Sequence, residues 1–390
     1  MTIRSTRRLV QLGFLLLTIV GVFLVRGHAE RWCPFGGIEA IYGYVREGNL
    51  ICSLGVSNFY ILAGILILTL LVRRAFCGYM CPIGTLSEWL GRGAARLGLR
   101  PRRVPYRLDH ALALLKYAVL GVILFFTWRT SELVFRGYDP CYALLGRHGE
   151  DITFWAYVVS GAIVVASFLV VMPFCRWLCP LAAVLNPFSR YGLTRIKRDR
   201  VHCFDCGACN RVCPMGIRVD ATPEVTAARC IACMECVQAC PEKGERALSW
   251  GPPRKLGGRW PQAALVGLLL LCVSAAVAAT YAFPLPSFVW SKGEPPARTK
   301  RMELFVNHLN CRGNASLFVY FLSRDDELEL PGYVKLEAWP GPDPARVQIM
   351  YDPAQTDEPA IRQALTQPYF DLTGGFFRAS PFEIAEAGQR

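Results

Sequence analysis

Five apolar runs, at about 9–25, 56–72, 109–128, 153–173 and 260–283, are each of the length that crosses a hydrocarbon layer. A backbone in lipid must satisfy its own N–H and C=O groups, so such runs become helices. The expected frame is therefore an all-α membrane core of five transmembrane helices, in line with an apolar share of 53%.

The loops between the runs alternate in basic content. Arg4, Arg7 and Arg8 open the chain, and 26–55 is balanced. Segment 73–108 is rich in arginine (Arg73, Arg74, Arg92, Arg96 and others), 129–152 is slightly acidic, and 190–200 is strongly basic. Positive loops stay inside. That rule makes the N-terminus, 73–108 and 174–259 cytoplasmic, and 26–55, 129–152 and 284–390 external. Lys292, Arg298, Lys300 and Arg301 run against the last assignment, but a folded domain of that length translocates largely regardless of such charges. Gly27-His28-Ala29 after the first run resembles a signal-peptide cleavage region. The run is long for that purpose and Arg26 sits beside the cut, so a retained helix is expected. Membrane orientation also accounts for the net charge of +13, which removes the case for nucleic acid as partner.

Most of the 17 cysteines fall into short, regular spacings, which favours metal ligation over a disulfide framework. Cys203-x2-Cys206-x2-Cys209-x3-Cys213-Pro214 is repeated as Cys230-x2-Cys233-x2-Cys236-x3-Cys240-Pro241. This is the bacterial two-cluster ferredoxin run, in which the fourth cysteine of each repeat serves the other cluster. Cluster 1 then takes Cys203, Cys206, Cys209 and Cys240, and cluster 2 takes Cys230, Cys233, Cys236 and Cys213. Gly207, Ala208 and Ala232 allow close approach, and each proline turns the chain away without losing a backbone donor. Zinc sites use paired CxxC knuckles, a form neither repeat has.

Two further motifs echo each other: Phe76-Cys77-Gly78-Tyr79-Met80-Cys81-Pro82 and Phe174-Cys175-Arg176-Trp177-Leu178-Cys179-Pro180. They read as the ends of two related hairpins, with Cys77/Cys81 and Cys175/Cys179 each spaced to share a helix face. The four thiols are candidates for a further cofactor or metal, a redox dithiol or a quinone contact; the plain alternative is apolar packing.

Paired CxxxCP motifs followed by a double-cluster block resemble the membrane polyferredoxins of the NapH/NosR/CcoG type over roughly residues 5–285. The resemblance implies electron transfer at the bacterial inner membrane, with quinol as donor in the NapH and NosR branches. In the CcoG branch it implies copper reduction and oxidase assembly. The chain lacks the large N-terminal flavin domain, and its C-terminal domain differs from the immunoglobulin-like one of the CcoG branch, so the branch stays open.

Among the external cysteines, Cys33 and Cys52 are disulfide candidates in an oxidising compartment, with a redox or metal role, Cys141 as odd partner, as the alternative. No CxxCH occurs for covalent haem, and Cys272 reads as packing. Lys116, near His110 and Tyr117, is expected to snorkel, with a quinone pocket as the alternative.

Residues 302–372 read as strand, helix, two strands, helix and strand, the ferredoxin-like βαββαβ order, with the last strand near Tyr369–Leu372. Val347-x-Ile349-x-Tyr351-Asp352-Pro353 resembles the third strand of heavy-metal-associated domains. Those carry CxxC at the first turn; here Cys311 has no second thiol, leaving His308 and Cys311 as a weak metal pair beside the preferred metal-free interaction domain.

The expected domains are 1–195 (four-helix core), 196–250 (cytoplasmic 2[4Fe–4S] insert), 259–284 (fifth helix) and 300–375 (periplasmic, heavy-metal-associated-like). The leading function is an electron carrier or quinol dehydrogenase-like component, linking a quinol pool or cytoplasmic donor to a redox or metalloenzyme partner. The alternatives are a copper reductase or metalloenzyme assembly factor, and a scaffold with structural clusters.

Overall fold

The computed structural model describes residues 2–24, 33–38, 41, 45, 57–99, 104–130, 138–140, 143, 153–241, 247–283, 285–286, 288–309, 312–323, 330–340, 344–371 and 376–385. The chain divides into two compact units, Met1–Glu39 with Tyr60–Ala279, and Ala40–Phe59 with Thr280–Arg390.

In the first unit, α1 (Ile3–Ile19) runs on through a π-helical turn to Leu24. Then come α2 (Ser57–Val72), a short α3 (Ala75–Tyr79), α4 (Pro82–Arg96), α5 (Tyr106–Leu112), α6 (Leu115–Thr130), α7 (Phe154–Leu169) and α8 (Pro180–Arg190). A cysteine-rich insert holds strands β1 (Arg195–Arg198) and β2 (Leu248–Gly251) and the one-turn helices α9 (Ala208–Val212) and α10 (Glu235–Gln238). Helix α11 (Gln262–Ala282) closes the unit.

Among the described residues, three helical segments, Ile3–Leu24, Tyr106–Arg129 and Gln262–Ala282, are long and apolar enough to cross a membrane. Helices α2 and α7 are apolar but have 16 residues each. At about 1.5 Å per residue they fall short of a hydrocarbon core of about 30 Å. Leu17, Phe125 and Leu271, on the three long segments, are more than half exposed, as lipid-facing side chains are. Small residues bring the helices close: a Cβ on Gly64 would lie 2.7 Å from that of Ala276, and Ser87 and Ser167 share a hydroxyl hydrogen bond of 2.8 Å between α4 and α7.

The two CxxxCP hairpins have matching backbones. Arg73 (φ 59°) and Met172 (φ 53°) break the chain after α2 and α7. Cys81 (φ −63°, ψ 118°) and Cys179 (φ −63°, ψ 117°) are the N-caps of α4 and α8, each followed by proline at the first helical position. The shared helix face expected for each pair is therefore not formed. Cys81 and Cys179 are extended and start a new helix, because proline disfavours helical geometry in the residue before it.

In the second unit, β3 (Phe288–Lys292), β4 (Lys300–Asn307), α12 (Arg312–Ser323), β5 (Val334–Trp339), β6 (Ala345–Tyr351) and α13 (Glu358–Thr366) precede three short strands. These are β7 (Tyr369–Asp371), β8 (Phe376–Arg378) and β9 (Glu383–Ala385). The main sheet is antiparallel, in the order β3-β5-β6-β4-β9. Alternate residues such as Val334, Leu336, Val347 and Ile349 point into a core shared with Phe318, Phe321 and Ile361. The strand expected near 369–372 pairs with β8 in a separate hairpin, and β9 takes the sheet edge beside β4.

Candidate functional site

Each ferredoxin-type repeat winds around its own thiols through left-handed residues. Asp205 (φ 50°) and Gly207 (φ 65°) in the first repeat match Ala232 (φ 47°) and Met234 (φ 55°) in the second. Gly207 takes this conformation freely, whereas for Met234 it costs about 1 kcal/mol, set against a side chain 2% exposed in the core. After the turns come α9 and α10, and then the extended Cys213 before Pro214. Strands β1 and β2 pair from Arg195↔Gly251 to Arg198↔Leu248 and join the two ends of the insert.

The eight thiols sort into two cavities. Cys213, Cys230, Cys233 and Cys236 line one, with Met215, Ile217 and Ile231. Cys203, Cys206, Cys209 and Cys240 line the other. The fourth cysteine of each repeat thus stands with the first three of the other. Among the described residues no three His, Cys, Asp or Glu side chains converge tightly enough to hold a single metal ion. Four thiols around a cavity suit a larger polynuclear group, and the Ile217 N–H, 3.4 Å from Cys213 Sγ, supplies a backbone donor to a ligand sulfur.

The cavities differ in setting. Cys230, Cys233 and Cys236 are buried, and burial pushes the Cys233 thiol up to about 12, so its thiolate needs a positive partner. Cys206 is exposed, and the neighbouring Phe204 and Val201 are 73% and 88% exposed. Arg198 lies with Nε 3.2 Å from Cys203 Sγ, and that contact raises the guanidinium's pKa.

Two polar clamps join the buried repeat to the CxxxCP arms. On one side Arg7 of α1 donates to Gly78 O (3.0 Å), Glu88 Oε1 (2.9 Å) and Glu235 Oε1 (3.1 Å). Arg92 (2.6 Å) and Arg4 (2.9 Å) also bind Glu235. Burial opposes the Glu235 carboxylate, but Arg92, Arg4 and Arg7 outweigh it and hold the pKa below its ordinary value. On the other side Asp109 accepts from Arg176 Nη2 (2.6 Å) and Trp177 Nε1 (2.8 Å), and pairs with Arg229, next to Cys230. The backbones also touch: a Cβ on Gly78 would lie 2.7 Å from Ile231 O.

Cys77, Cys81, Cys175 and Cys179 come together where the two arms meet. The Cys175 thiol lies within electrostatic reach of the other three, and Arg74 Nη2 lies 3.7 Å from Cys77 Sγ. Burial pushes the Cys179 thiol up to about 11 and raises Cys81 and Cys175 as well. Lys116 does not snorkel. It is 1% exposed and within electrostatic reach of Arg74, Cys179 and Cys175, where α6 packs against α8. Tyr117 faces the same helix, accepting from Asn186 Nδ2 at 3.0 Å.

Sequence reasoning missed the clamps. Their only local trace is a charged or polar residue on an otherwise apolar helix, such as Arg7, Gln11 or Asp109, which signals an inward polar contact. Cys33 is half-buried, whereas Cys52, Cys141 and Cys311 lie outside the described residues, so the Cys33–Cys52 disulfide and the His308/Cys311 pair do too. His308 (φ 66°) accepts from Asn314 Nδ2 through its carbonyl at 2.7 Å. Cys272 packs against the core.

A family model described as a 4Fe-4S binding domain matches residues 54–105 and 152–200, and one described as a 4Fe-4S dicluster domain matches 195–241. The chain is 27% identical over 288 residues to the putative electron transport protein YccM of Escherichia coli (strain K12), covering 71% of this chain and 78% of that protein. An uncharacterised protein of Methanocaldococcus jannaschii is 32% identical over 210 residues, 53% of this chain and 82% of that one. The ferredoxin-type protein NapH of Haemophilus influenzae is 29% identical over 195 residues, 46% of this chain and 63% of that one. No solved structure matches the chain. With CxxxCP hairpins, a cysteine-lined insert and membrane-length helices in one unit, the chain belongs to the polyferredoxin-type family of 4Fe–4S-binding membrane proteins.

Proposed function

We propose that the chain holds two [4Fe–4S] clusters and relays single electrons at the cytoplasmic (inner) membrane, between a quinol or cytoplasmic donor and a redox partner protein. Cys203, Cys206, Cys209 and Cys240 hold cluster 1, and Cys230, Cys233, Cys236 and Cys213 hold cluster 2. The observation that carries this reading is the sorting of eight thiols into two cavities, one exposed and one packed on the helical core. A bound [4Fe–4S] cluster accepts or gives up one electron without moving its ligands far. The residues around it do the rest: Met215, Ile217 and Ile231 keep water from the buried cavity, and Arg198 places positive charge at the exposed one. Exposed Phe204 and Val201 offer an apolar contact for a soluble partner beside cluster 1.

The five-span topology belongs to the same proposal, with α2 and α7 crossing together with the chain that flanks them. A retained first helix is supported by Arg4 and Arg7, whose loss would leave Glu88 and Glu235 buried without their main partners. These contacts also favour one membrane face for the N-terminus and the insert. The second unit, in the strand order β9-β4-β6-β5, supports a ferredoxin-like βαββαβ domain; an odd number of spans would carry it to the opposite face. The test is anaerobic stopped-flow mixing of the purified full chain with a menaquinol or ubiquinol analogue, or with reduced ferredoxin. Bleaching of the cluster absorbance with one of them supports the relay; an iron-loaded protein that no donor reduces overturns it.

A further inference from the structure

Three buried arginines, from three separate elements of the helical core, reach the loops that present the thiols of cluster 2. Arg73, between α2 and α3, is 1% exposed. It donates from Nε to Thr194 O (2.9 Å) and from Nη1 to Ala227 O (3.2 Å), the carbonyl that also accepts the Cys230 N–H. Arg176, on the second CxxxCP arm, lies against the turn after Cys213, where a Cβ on Gly216 would fall 2.5 Å from its Nη2. Arg7, on α1, binds Glu235, the residue before Cys236. Cys230, Cys213 and Cys233 stand within electrostatic reach of Arg73, Arg176 and Arg7 in that order.

Each of these arginines belongs to a group with one cation more than it has carboxylates. Arg4, Arg7 and Arg92 share Glu88 and Glu235. Arg176 and Arg229 share Asp109. Arg73 is paired with no carboxylate among the described residues, and its Nη2 has no hydrogen-bond partner. Each group therefore leaves a positive charge unmatched beside the same cavity, and buried unmatched charge is costly unless an anion stands against it. A [4Fe–4S] cluster with four thiolate ligands is formally a dianion when oxidised and a trianion after taking up one electron. The three groups thus leave one positive charge over before reduction and none after it. Burial alone opposes the more highly charged, reduced state; the arginines outweigh it because they match that state. Cluster 1 is set differently. Arg198, at Cys203, is paired with exposed Asp205, and the cavity opens to water at Cys206, where solvent screens charge.

We propose that Arg7, Arg73 and Arg176 make cluster 2 the higher-potential centre of the insert, so that electrons entering at exposed cluster 1 run inward to the helical core. Net charge and solvent exposure are two of the levers that set such potentials, and both differ between the two cavities. The inference rests on the relay reading and chooses between its donors. The partner that meets the Phe204 face is a reductant, a soluble low-potential one-electron carrier. The core is the acceptor side, and its arginines act as positioning residues for the electron.

The test is an EPR-monitored redox titration of the iron-loaded full chain in detergent, poised with chemical mediators, so that no natural donor is needed. Cys213→Ser and Cys240→Ser assign the signals to cluster 2 and cluster 1. In the wild type the cluster 2 midpoint should lie above that of cluster 1. Arg73→Gln, with its iron retained, should lower the cluster 2 midpoint alone, by about tenfold in the one-electron reduction equilibrium, or about 59 mV. Arg73→Lys, which keeps the charge, should restore most of that shift. Arg176→Gln, in which Asp109 keeps Arg229 and Trp177, should act in the same direction. A wild-type cluster 2 midpoint at or below that of cluster 1 would overturn the proposal. So would iron-loaded Arg73→Gln and Arg176→Gln variants whose cluster 2 midpoints stay at the wild-type value. Failure of the relay reading looks different: the midpoints would be ordered as stated, yet neither reduced ferredoxin nor a quinol would deliver an electron.

Discussion

Arg7 shows how one side chain can tie a membrane helix to a redox insert. It is 1% exposed and bonds to Gly78 O, Glu88 and Glu235 at once. Removing one member of a buried ion pair leaves the other charged and unsolvated. Arg7→Met should therefore destabilise the first unit by about 3–5 kcal/mol, read as a lower unfolding temperature in detergent. Arg346 and Glu303 pair on the surface of the second unit, with side chains 41% and 46% exposed. Arg346→Ala should change stability by no more than about 1 kcal/mol. Glu224 gives a pH test. Burial raises its pKa, but the Arg254 N–H and Arg195 outweigh that and hold it below the ordinary 4.5. A depressed carboxylate stabilises the fold above its unfolded pKa, and that contribution is lost as pH falls through the folded value. Hydrogen exchange in β1 and β2 should accordingly quicken once the pH drops below about 4.5. Unchanged exchange there would rule out a stabilising role for Glu224.

At the scale of elements, what was legible in the sequence followed local spacing. Each cysteine repeat is a run of a few consecutive residues, and the crossed placing of Cys213 and Cys240 comes with that motif; the structure puts those thiols in the two cavities. The CxxxCP echo was equally visible, but its helical reading failed, because Pro82 and Pro180 push Cys81 and Cys179 out of helical geometry. Long-range pairings were not legible. Nothing near Glu88 or Glu235 names Arg7 as partner, and the inward turn of Lys116 depends on α8 packing against α6. In the second unit, alternation along β4, β5 and β6 marked the sheet, whereas β9 is too short to carry a pattern. The crossed pairing makes a selective prediction. Cys240→Ser should remove the cluster that external chelators reach first, and Cys213→Ser the protected one. Loss of the same cluster in both variants would contradict the crossed assignment.

For the whole molecule, the first unit has a direction built into it. Apolar helices hold the CxxxCP arms, the arms touch the buried thiol cavity, and the insert carries the second cavity to solvent beside Phe204. The central claim is that the insert holds two separately ligated clusters that take up electrons. The most direct measurement is EPR of the iron-loaded full chain during anaerobic reductive titration, repeated with Cys213→Ser and Cys240→Ser. The account predicts interacting reduced-cluster signals in the wild type and the loss of a different component in each variant. A fully iron-loaded chain that gives no EPR signal on reduction would contradict it.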